Sequence, residues 1–150
     1  MESLKQILTK YSFFKDFEPH HLQFMAEYAS EAHFDTGQYI LREGEEVDHV
    51  YLICQGHVAL GTLVSGRGFT TLQTLGEGEI LGLSWLIPPY RWHFSALVVI
   101  PTLVMAFDAR RLREKCESDH DFGYEFLKRL ALVVGQRLKA TRMRLSVQAG

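Results

Sequence analysis

The stretch that decides the fold is Phe34-x-x-Gly37-x-x-Ile40-x-x-x-Gly44-x-x-x-Asp48-x-x-Tyr51-x-Ile53-x-x-Gly56-x-Val58. Its glycines suit tight turns, because glycine adopts a positive φ without a steric penalty. Its apolar positions suit strand residues that point inward, because alternate side chains of a strand lie on the same face. The stretch therefore predicts short β-strands that are joined by tight turns.

The same pattern continues on both sides, from Ala32 to Phe107. Short runs rich in β-branched and aromatic residues alternate there with glycines, which is typical of an antiparallel barrel or sandwich. The predicted strands are His33–Phe34, Tyr39–Leu41, Val50–Cys54, Val58–Leu63, Phe69–Leu75, Phe94–Ile100 and Thr102–Phe107. We therefore predict a mainly β fold, an antiparallel β-barrel or jelly roll over residues 30–108, with flanking α-helices.

Helical periodicity marks both ends of the chain. The predicted helices are Ser3–Thr9, Pro19–Tyr28, Ala109–Cys116 and a long last helix that ends at about Val147. Asp108 is the predicted N-cap of the third helix, and Asp119 or Asp121 that of the fourth, because carboxylates accept hydrogen bonds from first-turn N–H groups. We predict a single domain over residues 1–150, with N-terminal helices at 1–29, C-terminal helices at 109–150 and no DNA-binding domain.

The opening stretch resembles the leading signature of the cyclic-nucleotide-binding domains of the Crp/Fnr type. A second segment, Leu75-Gly76-Glu77-Gly78-Glu79-Ile80-Leu81-Gly82, is similar to the part of that family that leads into its phosphate-binding cassette. The resemblance covers nearly the whole chain. It implies a β-barrel regulatory domain with N-terminal helices, a nucleotide-binding cassette and a long C-terminal helix.

The resemblance fails at the two ends of the cassette. In the family, a Gly-Glu pair opens the cassette and its Glu binds the ribose, while an Arg-Ser/Thr-Ala triplet closes it and its Arg binds the cyclic phosphate. Here the opening reads Gly82-Leu83 and the closing reads Phe94-Ser95-Ala96. Loss of both charged contacts removes about 3–5 kcal/mol of binding, since hydrogen bonds to charged groups contribute on the order of 1.5–3 kcal/mol. Tight binding of cAMP or cGMP is therefore not expected.

Between these ends the cassette is aromatic and basic, and it reads Ser84-Trp85-Leu86-Ile87-Pro88-Pro89-Tyr90-Arg91-Trp92-His93. One interpretation is a pocket adapted to a nucleotide or another anionic small molecule, with Arg91 or His93 supplying charge and a tryptophan stacking on a ring. The other is a cassette that fills itself with aromatic rings or presents a protein-binding surface. The candidate ligand-binding residues are Gly82, Leu83, Ser84, Trp85, Arg91, His93, Phe94, Ser95 and Ala96.

The last helix carries an apolar stripe at three- and four-residue spacing. Its members are Leu127, Leu130, Val134, Leu138, Thr141 and Leu145. The stripe, together with the role of this helix in the family, predicts a homodimer; the alternative is a helix that folds back on its own barrel. From Phe122 onward the chain holds six basic residues and one acidic residue. We interpret the basic residues as a solvated face, so nucleic acid is not an expected partner.

The remaining features favour a cytoplasmic protein that is not an enzyme. The net charge of −2 gives no general attraction to nucleic acid or to a membrane surface, and no apolar run is long enough to cross a bilayer. Cys54 and Cys116 lie far apart, which predicts buried thiols in a reducing compartment. His20 and His21 are neighbours on a predicted helix and point in different directions, which predicts surface histidines and no metal site. No catalytic residue is predicted.

Three functions therefore remain open from the sequence. The first is a stand-alone regulatory sensor, a homodimer that passes a ligand or partner signal to a separate effector protein. The second is a protein-interaction module, such as an accessory subunit of a larger complex, that binds no small molecule. A third is a transcriptional regulator of the Crp/Fnr type that lacks its helix-turn-helix.

Overall fold

Helices flank a β-rich centre, as the sequence predicts. A computed structural model describes residues 3–82, 85 and 88–149, with side chains as far as residue 145. Its helices are α1 (Leu4–Leu8), a 3-10 helix (Ser12–Phe14), α2 (Pro19–Glu27), α3 (Ala109–Ser118) and α4 (His120–Ala149). Its strands are β1 (Ala29–Phe34), β2 (Tyr39–Leu41), β3 (His49–Val64), β4 (Gly68–Leu75), β5 (Ile80–Leu81) and β6 (Ser95–Asp108).

All strand pairs are antiparallel. The order is β1-β6-β3-β4, while β2 pairs with β6 and β5 pairs with β3. The two longest strands, β3 and β6, lie side by side and connect all the others. The predicted mainly β jelly-roll class, with flanking helices and a long C-terminal helix, is confirmed.

Two pairs of predicted strands are single strands in the structure. Val50–Cys54 and Val58–Leu63 form one strand, β3, because the chain continues through a bulge at Gly56, whose φ is +117°. A bulge takes up extra residues without ending the pairing with the neighbouring strand. β6 likewise runs without a break through Pro101, and β1 begins at Ala29, four residues before its predicted start.

Side-chain caps fix where the C-terminal helices begin. The Asp108 carboxylate accepts a hydrogen bond from the Arg111 N–H at 3.0 Å, at the start of α3. The Asp119 carboxylate accepts one from the Phe122 N–H at 3.1 Å, at the start of α4. Both contacts join a cap to the third residue of its helix, the usual N-cap geometry. Of the two predicted caps for the last helix, the structure selects Asp119.

The chain divides into two compact units, Met1–Glu114 and Lys115–Gly150. In the first unit the sheet and its neighbours enclose the core, whose largest fully buried side chains include Trp85, Phe14, Phe107, Leu8, Met25 and Leu52. In the second unit Phe122 and Phe126 are buried and their rings stack, with centroids 5.7 Å apart. None of the helices in the described part of the chain is both long and apolar enough to span a membrane.

Candidate functional site

The cassette segment, residues 82–95, is held at its C-terminal end by backbone pairing with the loop before β3. The Gly44 N–H donates to the Trp92 carbonyl at 2.8 Å, and the Trp92 N–H donates to the Glu45 carbonyl at 3.0 Å. The Val47 N–H donates to the Tyr90 carbonyl at 2.8 Å. Residues 90–92 therefore behave as a short extra strand, and this pairing fixes the direction of the side chains that follow.

The two tryptophans of the cassette point inward. Trp92 is 7% exposed and Trp85 is fully buried. The Trp92 ring lies so close to Gly82 that a Cβ at that position would come within 2.6 Å of the ring. Gly82 also has a positive φ of +104°, which disfavours any larger residue there. The Trp92 indole ring therefore occupies the space next to the residue that opens the cassette.

The polar residues that could replace the missing charges point elsewhere. The Arg91 guanidinium donates to the Gly44 carbonyl at 2.9 Å and lies 3.8 Å from the Glu46 carboxylate. Arg91 and His93 are both exposed, and so is Phe94, at 45%. These three predicted site residues, which we call the rim of the cassette, are thus exposed to solvent.

The end of the cassette is tied to the scaffold through Ser95 and Ala96, which are both buried. The Ser95 hydroxyl accepts a hydrogen bond from the Glu43 N–H at 3.0 Å. The Glu43 carboxylate in turn accepts one from the Thr62 hydroxyl at 2.7 Å. This serine is therefore already engaged by the protein. The remaining predicted site residues, Leu83 and Ser84, lie outside the described residues.

Arg113 on α3 reaches the cassette, and sequence reasoning missed it. Its guanidinium donates to the Trp85 carbonyl at 2.6 Å and lies 4.3 Å from the centre of the Tyr90 ring. A charged donor on a carbonyl, combined with a cation over an aromatic face, makes a strong polar clamp. Arg110, Arg111 and Arg113 share one helix, and no signal in the sequence distinguishes which of them faces the cassette.

Comparison with known proteins agrees with the fold described above. The family model for the cyclic nucleotide-binding domain matches residues 31–119, which is more than half of the chain. This chain belongs to the cyclic nucleotide-binding domain family. The match begins in β1 and ends just before α4, so it includes the whole cassette. It confirms the family that the glycine pattern of residues 34–58 indicates.

Similar solved structures extend the likeness to nearly the full chain. A protein of Geobacter metallireducens described as cyclic nucleotide-binding is 30% identical, with 92% of this chain and 99% of that chain covered and a TM-score of 0.82. A cyclic nucleotide-binding domain of Methylobacillus flagellatus is 21% identical, with 97% and 82% covered and a TM-score of 0.80. The sensor domain of the transcriptional regulator DNR of Pseudomonas aeruginosa is 19% identical, with 90% and 91% covered and a TM-score of 0.72. The last two show the fold alone.

A curated relative is a much larger protein. The cGMP-dependent protein kinase egl-4 of Caenorhabditis elegans is 29% identical over 80 residues, which is 53% of this chain and 10% of the kinase. The cyclic nucleotide-binding domain therefore spans only a small part of that relative. The family is one of regulatory domains.

The thiols of this domain are poor nucleophiles. Burial raises the pKa of the Cys116 thiol to about 11, and the nearby carboxylates of Glu117 and Asp119 act in the same direction. Burial also raises the pKa of Cys54 above its usual value. Both residues are free thiols, as predicted, although Cys116 is only half-buried. Because the thiolate is the reactive form, neither cysteine is suited to nucleophilic chemistry near neutral pH.

The apolar stripe of α4 divides into two faces. Leu127, Val134, Leu138 and Leu145 are between 41% and 69% exposed, and Thr141 is exposed as well. Leu130 is only 7% exposed. The exposed positions continue through Tyr124 and Ala131, so that apolar or small residues recur at alternating steps of three and four. That spacing is the heptad repeat of a coiled coil.

The prediction that His20 and His21 are both surface residues is wrong for His21. His21 is 1% exposed, and its ring packs edge-on against Phe17 with centroids 6.0 Å apart. Neighbouring residues on a helix point about 100° apart, so one of them faces the core when the other faces solvent. His20 is the exposed partner.

Proposed function

We propose that this protein is a cytoplasmic regulatory domain that does not bind cAMP or cGMP tightly and that passes its state to a separate effector protein. The observation that carries the proposal is the pair of buried tryptophans, one of which lies against Gly82. In this family Gly82 opens the nucleotide cassette, and an aromatic ring in that place competes with a ligand. No catalytic role is proposed for any residue.

The charge pattern supports weak binding of cyclic nucleotides. Phe94 takes the place of the phosphate-binding arginine and is 45% exposed. Arg91 is already paired with the Gly44 carbonyl and the Glu46 carboxylate. A ligand that reached Arg91 would have to replace both contacts. If a small molecule binds here, its recognition therefore differs from that of a cyclic phosphate held by a bidentate arginine.

Arg113 offers a route by which the state of the cassette could reach the C-terminal helix. The residue lies on α3 and grips the cassette at Trp85 and Tyr90. α3 ends at Ser118 and α4 begins at His120, so one residue joins the two helices. A movement of the cassette that released Arg113 would remove one of the contacts that hold α3. This is the signal path that we propose.

Calorimetry with cAMP and cGMP tests the ligand part of the proposal. We expect no dissociation constant below about 100 µM for either nucleotide, because the loss of two charged contacts weakens binding more than about a hundredfold. The double substitution Leu83→Glu with Phe94→Arg restores both family charges and should tighten binding. Leu83→Gln with Phe94→Leu is the uncharged control and should not. A low-micromolar constant for the wild-type protein would contradict the proposal.

We also propose that the protein is a homodimer through the exposed stripe of α4. Leu138→Asp should give a folded monomer by light scattering, because Leu138 is 69% exposed and lies at the centre of the stripe. Leu132→Asp is the matched control, since Leu132 is 62% exposed but lies off the stripe. Higher salt should strengthen the dimer, because the basic residues of the helix repel one another and salt screens them. A wild-type monomer at high micromolar concentration would contradict the dimer.

The second candidate function is a protein-interaction module, and the rim of the cassette favours it. Pro88, Pro89 and His93 are exposed there, and Phe94 exposes an apolar ring beside them. Tryptophan fluorescence distinguishes the two functions. A small molecule that enters the cassette should change the emission of the buried Trp85 or Trp92, whereas a protein that binds the rim should lose affinity in Phe94→Ser and leave this emission nearly unchanged.

A further inference from the structure

Three side chains with potential metal-ligand atoms lie close together at the start of α2, far along the sequence from the cassette. They belong to Glu18, His20 and His21, each of which offers one ligand atom, and these atoms all lie within 4.8 Å of one another, although the helix directs the two histidines about 100° apart. His20 Nδ1 lies 3.3 Å from Glu18 Oε2. The rings of His20 and His21 have their centroids 4.1 Å apart. The proposed function uses none of these residues.

The distances suit a small tetrahedral cation. Two ligand atoms that each lie about 2.1 Å from a zinc ion are about 3.4 Å apart in a tetrahedral arrangement. The contact between Glu18 and His20 already has this length. The third atom, which lies no more than 4.8 Å from the others, needs a shift of less than about 1.5 Å to reach the same spacing. Rotation of the exposed Glu18 and His20 side chains can supply that shift.

The backbone and the core hold the cluster in place. Pro19 is the first residue of α2, and its ring fixes the φ angle between the first ligand and the other two. His21 is 1% exposed and packs against Phe17, so its ring has a fixed position. The His20 and Glu18 side chains are 65% and 57% exposed. The site therefore combines one rigid ligand with two accessible ones, and water can reach the remaining coordination positions.

The ligand chemistry selects the metal. Imidazole nitrogen favours zinc and its late-transition-metal neighbours, whereas magnesium and calcium favour sites built only from oxygen. The N-terminus of a helix carries partial positive charge that opposes a cation, and the Glu18 carboxylate offsets it. We propose that Glu18, His20 and His21 form a binding site for a divalent late-transition-metal ion of the zinc class. This site goes beyond the proposed function and does not depend on it.

Metal titration of the full chain, prepared without a polyhistidine tag, tests the site. Calorimetry with Zn²⁺ alone should give one ion per chain with a dissociation constant in the micromolar range, and Mg²⁺ should give no binding. His20→Ala and Glu18→Gln should each weaken Zn²⁺ binding at least tenfold. Both side chains are exposed, so neither substitution opens a cavity in the core, although His20→Ala removes the ring that lies beside His21. His33→Ala and His57→Ala, which change exposed histidines on the sheet, are the matched controls and should leave the affinity unchanged.

The visible absorption of bound Co²⁺ gives a second test, which does not depend on the measured affinity. Co²⁺ bound by two imidazoles and a carboxylate should give visible absorption bands of a four- or five-coordinate ion, and His20→Ala should abolish them. The proposal is overturned if Zn²⁺ does not bind below 1 mM. It is equally overturned if His20→Ala binds Zn²⁺ as the wild type does, or if His33→Ala or His57→Ala weakens binding as much as His20→Ala.

Discussion

Gly56 in β3 and Gly82 at the start of the cassette both have a positive φ, +117° and +104° respectively. What lies against them differs. A Cβ on Gly56 would overlap the Thr102 hydroxyl oxygen and would come within 2.8 Å of the Thr102 Cα and Cβ on the neighbouring strand. A Cβ on Gly82 would come within 2.6 Å of the outer edge of the Trp92 ring. Gly56 thus allows the two neighbouring strands to pack closely, while Gly82 leaves room for the Trp92 ring.

The largest expected loss of stability is for a substitution in the sheet, at Gly56. Gly56→Ala should lower the free energy of unfolding by about 3 kcal/mol or more, because it adds left-handed strain of about 1–2 kcal/mol to a backbone overlap. Gly66→Ala is the matched control: its φ is +82°, and nothing lies within 4 Å of the added Cβ. Gly66→Ala should lower the free energy of unfolding only by the backbone strain, about 1–2 kcal/mol. Urea unfolding measures both, and equal losses for the two variants would show that the contact with Thr102 does not matter.

The sequence predicts the positions that require glycine better than it predicts where the aromatic side chains lie. Glycine spacing in residues 34–58 identifies the fold and the family, because turns with a positive φ and close contacts between strands strongly favour glycine. The positions of Trp85 and Trp92 could not be predicted, because an aromatic residue suits a pocket wall, a filled cavity or a surface equally well. The sequence places Leu130 in the same apolar stripe of α4 as its exposed neighbours for a similar reason: a helical repeat identifies apolar positions without saying which of two adjacent faces is covered.

A smaller loss of stability is expected at Gly82 in the cassette, where an added Cβ would overlap the Trp92 side chain. Gly82→Ala should cost about 2 kcal/mol, from strain and from displacement of the Trp92 ring. In a Trp92→Leu background this cost should fall by about 1 kcal/mol, because the overlapping ring atoms are gone. The cost of Gly56→Ala should change less in a Thr102→Ala background, because that change removes the overlapping hydroxyl but leaves the Thr102 Cα and Cβ, both 2.8 Å from the added Cβ. A double-mutant cycle in urea measures both couplings, and a larger coupling at Gly56 would reverse the contrast.

The smallest expected change in stability concerns Tyr11, which joins the N-terminal segment to β3 close to Gly56. The Tyr11 hydroxyl donates to the Cys54 carbonyl at 3.5 Å, two residues before Gly56, and the Tyr11 ring lies beside Gly78. Burial, followed by the interaction with Cys54 and the charge of Glu77, raises the pKa of Tyr11 to about 12.

A raised pKa means that the folded state favours the neutral phenol. The stability that this supplies is fully present below the unfolded pKa of about 10 and is lost as the pH rises from about 10 through 12. Tyr11→Phe has no phenol to ionise, so its unfolding free energy should fall less steeply over this range than that of the wild type. Near neutral pH the two should differ by no more than about 0.5 kcal/mol, because the hydrogen bond is long. Urea unfolding at pH 8, 10 and 11.5, with absorbance at 295 nm to follow ionisation, measures the difference. If wild type and Tyr11→Phe lose stability in parallel from pH 10 upward, Tyr11 ionises as easily in the folded protein as in the unfolded chain, and its contact with β3 does not anchor the N-terminal segment.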